Sequence, residues 1–310
     1  MFEGKYVAVL CGGDGKERDV SLRSGKAVCD ALNEGGEFDA EILDLKSLAE
    51  VDEVQDFEGA FIAMHGDWGE GGQLQQKLKE MQIPYTGSGP EASFNAMNKW
   101  CSKSLFIQKQ IQTPKAILWP ENFDTVIEKL GNNIVVKPST GGSTVGITII
   151  KDATLEKIEE AVKFSEENYY SSVMIEEYIE GRELTAAVWE NNRKVEALPV
   201  IEIVPHEGFY DYKNKYTKGA TEYIVPAKIE NVIAEGIKKM AVKAHKVLGC
   251  SGYSRSDFRV TNDGKIYILE VNTAPGMTAT SLVPKAANAI GVSMSKFVSS
   301  IMKMASCDKI

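Results

Sequence analysis

The chain has 310 residues, 43% of them apolar and 25% charged, with 35 Lys and Arg against 44 Asp and Glu for a net charge of −9. That length holds two or three domains with buried cores, and the balance excludes a disordered or collagen-like chain. An acidic whole argues against a general nucleic-acid binder but leaves room for a local basic pocket, and no apolar run reaches the ~20 residues that span a bilayer.

The first thirteen residues carry a short apolar run without a basic leader or a small-residue cleavage site, so they read as a first strand rather than a signal peptide. Strand signals at 6–10, 40–43 and 60–64 alternate with helical patterns at 21–32 and 73–81, and 83–89 reads as a brief strand and loop. Such alternation implies a parallel sheet with helices on its faces. Phe94, Met97, Cys101 and Leu105 then fall on one face of a predicted helix that opens a second unit. It continues with a strand, a helix near Thr125, a strand at 134–137, a Gly-rich loop, a strand at 146–151, a helix at 155–164 and a strand at 173–178. From Glu183 the chain is strand-rich. A polar, aromatic loop at about 205–220 precedes a long helix at 231–248, two strands at 253–260 and 265–272, and helical segments to the end. The fold class is α/β followed by α+β, in three units: 1–95, 96–180 and 181–310.

The cysteines (Cys11, Cys29, Cys101, Cys250, Cys307) are odd in number with no C-x-x-C pair, which speaks against a disulfide framework or zinc site and for a reducing compartment. His65, His206 and His245 are equally scattered.

The segment SRSDFRVTNDGKIYILEVNT is the most informative. Asp-Gly between apolar runs predicts a two-residue hairpin turn at Asp263-Gly264, with Asn262 opposite Lys265. Asp257 then lies opposite Glu270 and Arg255 opposite Asn272, all on one face, with Ile266 and Ile268 sharing it. Two readings stay open: a solvated face with ordinary charge pairs, or oxygen ligands for a magnesium ion that also holds substrate phosphates. In VVKPSTGGSTVG, Lys137 ends a strand before a loop whose backbone N–H groups suit phosphate oxygens; alone, such a loop is more often a plain turn. IEEYIEGRE, residues 175–183, offers acceptors to an adenine amino group and ribose hydroxyls, or is a solvated turn. The 205–220 loop is too polar for a core and too aromatic for a linker, and a loop of that length is often a lid.

Together these segments resemble the ATP-grasp superfamily. GGDGKERDVSLRSG and EVNTAPGMTATSLVP, with HGDWGEGGQLQ, YTGSG, NKWCSK and FYDYKNKY in the expected order, make the whole chain similar to the D-alanine–D-alanine ligase family. The resemblance implies an N-terminal parallel-sheet domain before a two-part ATP-grasp fold. It implies ATP-dependent ligation of two D-alanine molecules through an acyl phosphate, for peptidoglycan precursors. ATP and magnesium, two ions with manganese as substitute, a cytoplasmic location and a homodimer come with it.

By the same resemblance Lys99, Lys137, Thr144 and Lys215 face the nucleotide phosphates, and Glu176, Tyr178 and Glu183 face the adenine and ribose. Asp257, Glu270 and Asn272 are the magnesium ligands. Arg255 and the backbone N–H of Gly276 face the developing oxyanion. Glu17 holds the ammonium of the first D-alanine, with Ser143 and Tyr216 completing its hydrogen-bonded set and His65 nearby. Ser281 and Leu282 receive the carboxylate of the second D-alanine. From the residues alone, Glu17 also reads as a helix N-terminal acid paired with Arg18 or Lys16, Ser281 as a helix cap, and His65 as a satisfied histidine at a strand end. The chain departs from the family pattern at Asp14-Gly15-Lys16, Gly71, Thr140-Gly141, Thr144 and Glu177. A D-lactate or D-serine acceptor, or a non-catalytic ATP-binding regulator, are the alternatives; Tyr216 favours an amine acceptor.

Overall fold

The structure, a computed structural model, describes residues 1–15, 17–142, 145–169, 171–191, 194–206 and 219–309. It opens on a three-stranded parallel sheet, β1 (Tyr6–Gly12), β2 (Asp39–Leu45) and β3 (Gly59–Ile62), in the order β2-β1-β3. Val7 to Cys11 are wholly buried, as the continuous apolar run of a strand covered on both faces requires. Helix α1 (Arg18–Gly35) crosses from β1 to β2 and turns small residues to the sheet. A Cβ at Gly25 would stand 2.5 Å from Cys11 Sγ, so glycine is what allows this approach. A 3-10 helix (Leu48–Asp56) and helices α2 (Asp67–Glu70) and α3 (Gln73–Glu80) complete this unit. Residues 83–89 form only isolated bridges at Tyr85.

The face expected from Phe94 to Leu105 is not one helix face. Asn98 leaves the helical region (φ −86, ψ 101) and divides the segment into α4 (Pro90–Met97) and α5 (Lys99–Gln108), with Phe94 51% exposed. The Asn98 side chain accepts from the backbone N–H groups of Trp100 and Cys101, a capping bond that outcompetes helix continuation.

A four-stranded antiparallel sheet follows: β4 (Ala116–Leu118), β5 (Ile134–Pro138), β6 (Thr148–Ile150) and β7 (Val173–Glu177), in the order β4-β7-β5-β6. Helices α6 (Phe123–Leu130) and α7 (Leu155–Asn168) bury Val126, Ile158 and Val162 against Ile134, Val136 and Ile175.

The largest sheet has β8 (Arg182–Asn191), β9 (Lys194–Ala197), β10 (Ile201–Pro205), β11 (Thr221–Ile224), β12 (Tyr253–Val260) and β13 (Ile266–Asn272). Its order is β11-β10-β8-β12-β13, with β9 also on β8. Helix α8 (Asn231–Val247) covers one face through Ile237, Ala241 and Ala244. The last helices, α9 (Leu282–Asn288) and α10 (Met294–Met302), return to the first unit, where Phe297 and Ile301 share a core with Val28, Leu32, Trp189 and Tyr253. Among the described residues no helix is long and apolar enough to cross a membrane.

The hairpin differs from expectation at its turn. Thr261 donates its N–H to Lys265 O and accepts from Gly264 N, so Thr261, not Asn262, faces Lys265 across a three-residue loop. Val260, Arg259 and Phe258 pair with Ile266, Tyr267 and Ile268, and the register then shifts. Leu269 is the extra residue, a β-bulge that restores the expected pairs Asp257–Glu270 and Arg255–Asn272. The bulge also reverses the facing of what precedes it. Ile268 is buried in the core under α8, and Ile266 packs against that core, on the face opposite the carboxylates.

Candidate active site

The charged face of β12–β13 forms a dense polar cluster. Arg255 Nε and Nη2 donate to Asp257 Oδ1 and Oδ2 at 2.9 and 2.8 Å. Thr185 Oγ1, reaching across from β8, donates to Asp257 Oδ1 at 2.6 Å, and Asn272 Nδ2 donates to Oδ2 at 3.3 Å. Glu270, beside Asp257, has Lys99 Nζ 3.3 Å from its Oε2. Asp257, Glu270 and Asn272 offer hard oxygen donors on facing strands. Among the described residues no three His, Cys, Asp or Glu form a closed cage. The set fits a cation that takes its remaining ligands from phosphate and water, the habit of magnesium.

The residues expected at the nucleotide lie beside this cluster. Lys99 begins α5, its backbone N–H donates to Ser139 O, and its ammonium donates to Gly141 O at 2.7 Å. This fastens the helix to the Gly-rich loop. Gly141 sits at φ +108, and a Cβ there would meet the Tyr169 ring at 2.5 Å, so glycine is required. Lys137 Nζ donates to Glu176 Oε2 at 2.6 Å, and Lys103 Nζ lies 2.5 Å from Glu176 Oε1. Burial alone would raise the Glu176 pKa, but the two ammonium groups outweigh it and hold the carboxyl below its ordinary value. Tyr178 and Glu183 are joined by Arg259, whose guanidinium donates to the Tyr178 hydroxyl at 3.2 Å and to Glu183 Oε2 at 3.3 Å.

A cavity of about 380 Å³ connects the hairpin to the first unit, with Arg255, Glu270 and Asn272 on one wall and Glu17, His65 and Glu70 on the other. Glu17 stands at the N-cap position of α1. Arg18 pairs bidentately with Asp44 rather than with Glu17, and also donates to Gly13 O. His65 Nδ1 donates to Glu70 Oε1 at 3.0 Å, and its Nε2 stands 3.1 Å from Ser24 Oγ. Burial on its own would lower the imidazole pKa, but the bond to Glu70 and the charges of Glu70 and Glu17 outweigh it and raise the pKa above its ordinary value. Burial raises the Glu70 pKa.

Gly276, Ser281 and Leu282 close the cavity at the start of α9. Ser281 holds the N-cap position, yet its Oγ accepts from Thr278 N at 3.0 Å instead of from the helix. A Cβ at Gly276 would come 3.0 Å from that hydroxyl.

The structure thus brings Glu17, His65, Arg255, Glu270, Asn272, Gly276, Ser281 and Leu282 to one cavity. Lys99, Lys137, Glu176, Tyr178 and Glu183 lie outside its walls. Ser143, Thr144, Lys215 and Tyr216, and with them most of the 205–220 loop, lie outside the described residues.

Sequence reasoning missed several residues of the site. Lys103 follows Lys99 by four positions on α5, and Arg259 continues the alternation of Arg255 and Asp257 on β12; both signals were present in the spacing. Glu70 lay within a quoted motif. Thr185 and Tyr223, which also lines the cavity, come from distant strands and left no local signal.

Comparison with known proteins agrees in extent and identity. The family model "D-ala D-ala ligase C-terminus" matches residues 105–303. A D-alanine–D-alanine ligase of Bordetella petrii is 43% identical over 307 residues, covering 97% of this chain and 92% of that protein. The crystal structure of D-alanine–D-alanine ligase from Bacillus anthracis superposes with a TM-score of 0.85 at 33% identity, covering 97% of each chain. The same enzyme complexed with ATP gives a TM-score of 0.83 at 32% identity, covering 97% of this chain and 96% of that one.

Proposed function

The chain belongs to the D-alanine–D-alanine ligase family, and from that premise we propose that it binds ATP and joins two D-alanine molecules into D-alanyl-D-alanine through an acyl phosphate. The observation that supports this most is the single cavity with an arginine and oxygen-donor wall facing a Glu17–His65 wall and closed by the Gly276–Leu282 segment. Such a cavity suits two small zwitterions meeting a phosphate donor.

Glu17 receives the ammonium of the first D-alanine, with the His65–Glu70 pair beside it. Ser143 and Tyr216 complete the set in this proposal. Lys99, Lys137, Thr144 and Lys215 receive the phosphates of ATP, and Glu176, Tyr178 and Glu183 its nucleoside. A carboxylate approaching a polyanion needs charge neutralisation above all. Asp257, Glu270 and Asn272 would hold magnesium, two ions in the proposed complex with manganese as a substitute. When bound, the metal neutralises phosphate charge.

The carboxylate oxygen of the first D-alanine forms a bond to the γ-phosphorus, and the bond to ADP breaks with its electron pair leaving on ADP. The second D-alanine lies with its carboxylate at Ser281 and Leu282. Its ammonium gives one proton to solvent, the free amine attacks the acyl carbon, and the nitrogen releases a second proton to solvent as the tetrahedral centre collapses. Arg255 and the Gly276 N–H stabilise the oxyanion, a contribution of about 3–4 kcal/mol for each well-placed donor. The carbon–oxygen bond to phosphate then breaks and phosphate leaves.

Phosphate release from magnesium-ATP, with and without D-alanine, tests this reading. D-Alanine-dependent release is expected; D-alanine-independent release, or none, overturns it. D-Alanine is the proposed acceptor because of Tyr216. Predominant D-alanyl-D-lactate or D-alanyl-D-serine from a mixture would change the acceptor and leave the ligase class standing. The proposal places the enzyme in the cytoplasm, serving peptidoglycan precursor synthesis as a homodimer, a state that light scattering reads directly.

A further inference from the structure

We propose that Lys103 is the resident counter-ion of Glu176, a positioning residue that frees Lys137 to move onto the nucleotide phosphates. This inference rests on the nucleotide-site reading above and extends it to a residue outside the phosphate-contacting set.

Glu176 is 2% exposed on β7, between β4 and β5. Its two oxygens face two different lysines. Lys137 comes from β5, and its ammonium rests on Oε2. Lys103 comes from α5, and its ammonium rests on Oε1. A lone carboxylate at this depth would carry a large desolvation cost, and removing a buried partner is far more damaging than removing an exposed one.

The two lysines are held differently. Lys103 Nζ donates to Thr113 Oγ1 and to Pro114 O, each at 2.7 Å, and Thr113 Oγ1 in turn donates to Ile268 O on β13. The ammonium is therefore fixed among α5, the 113–114 segment and the catalytic sheet. Among the described residues, the partner of the Lys137 ammonium is Glu176 Oε2. Lys137 stands where β5 runs into the Gly-rich loop, on the side from which phosphates would approach.

Charge counting gives the consequence. Two ammonium groups share one carboxylate, so the buried trio carries a surplus positive charge suited to an incoming polyanion. Lys137 can turn to phosphate while Glu176 remains paired with Lys103. Without Lys103, Lys137 is the only counter-charge left in the trio, and phosphate must compete with Glu176 for it. Two of the three Lys103 N–H groups go to Thr113 and Pro114, which leaves the third for Glu176 Oε1 2.5 Å away.

The test compares wild type, Lys103→Met, Glu176→Gln and the double variant. It measures KM for ATP, KM for D-alanine and kcat, together with calorimetric binding of a non-hydrolysable ATP analogue with magnesium. Lys103→Met is expected to weaken the analogue and raise KM for ATP by about tenfold or more. Its kcat at saturating ATP and its KM for D-alanine should stay within about threefold of wild type. Adding Glu176→Gln removes the carboxylate that recaptures Lys137, so the double variant should bind the analogue within about threefold of Glu176→Gln alone.

Wild-type analogue binding by Lys103→Met overturns the inference. So does a loss spread equally over kcat and both KM values, which marks a packing role. If Lys103→Met does not fold, the charge-neutral double variant decides: binding tenfold weaker than Glu176→Gln alone contradicts the counter-ion role. A wild-type protein that fails to bind the analogue removes the nucleotide-site reading and this inference together. Wild-type binding with unaffected variants removes the inference alone.

Discussion

Glu270 is the residue on which the proposed chemistry most depends, since it adjoins both Asp257 across the hairpin and Lys99 from α5. Glu270→Gln keeps the shape and removes the charge. Turnover should become undetectable while the melting temperature stays within a few degrees of wild type, read by phosphate release and circular dichroism. His65 gives a pH-dependent prediction. Its folded pKa is raised through Glu70 and Glu17, so its contribution to stability is fully present below the unfolded value of about 6.5 and is lost as pH rises through the folded value. Glu70→Gln removes the main cause of the rise. The imidazole resonance should then titrate at lower pH than in wild type. The stability gap between the two proteins should shrink as pH rises through the wild-type His65 value. Parallel stability curves and identical titrations would refute the pairing.

At the scale of elements, the break at Asn98 does more than end a helix. It starts α5 with Lys99 at the Gly-rich loop and sets Lys103 one turn behind, at Glu176. Asn98→Ala should lower stability by about 1 kcal/mol in urea denaturation, the usual worth of a lost N-cap, and weaken ATP more than D-alanine. Helix α5 and the β12–β13 hairpin show how much of the fold is legible in the sequence. Strand and helix order could be read from periodicity, and the pairs Asp257–Glu270 and Arg255–Asn272 followed from counting back from Asp263-Gly264. The count reached the right pairs through two compensating irregularities, a longer turn and the bulge at Leu269. Period-two counting carries no information about a bulge, so it puts Ile266 and Ile268 on the wrong face. The split at Asn98 was equally hidden, because apolar spacing of three and four ignores a side chain that caps. Contacts made by β8, such as Thr185 on Asp257, depend on sheet order, which no local pattern carries.

Across the whole molecule, the chain closes on itself: α10 packs on α1, and Phe297 touches Trp189 and Tyr253 with ring centroids 5.4 and 6.4 Å away. The wall that carries Glu17 and the sheet that carries Arg255 therefore share one core. Phe297→Ala should cost about 3–5 kcal/mol and lower the stability of both walls in a single unfolding transition, seen as coincident fluorescence and circular dichroism curves. That shared core holds the two halves of the cavity at one spacing, as the proposed meeting of an amino acid at Glu17 with a phosphate donor at Glu270 requires. The acyl phosphate is open to an isotope-transfer experiment. D-Alanine labelled with ¹⁸O in both carboxylate oxygens is incubated with magnesium-ATP, and phosphate and peptide are weighed by mass spectrometry. One ¹⁸O is expected in each phosphate released, with one molecule of D-alanyl-D-alanine formed per phosphate. Unlabelled phosphate, or labelled phosphate without dipeptide, would contradict it.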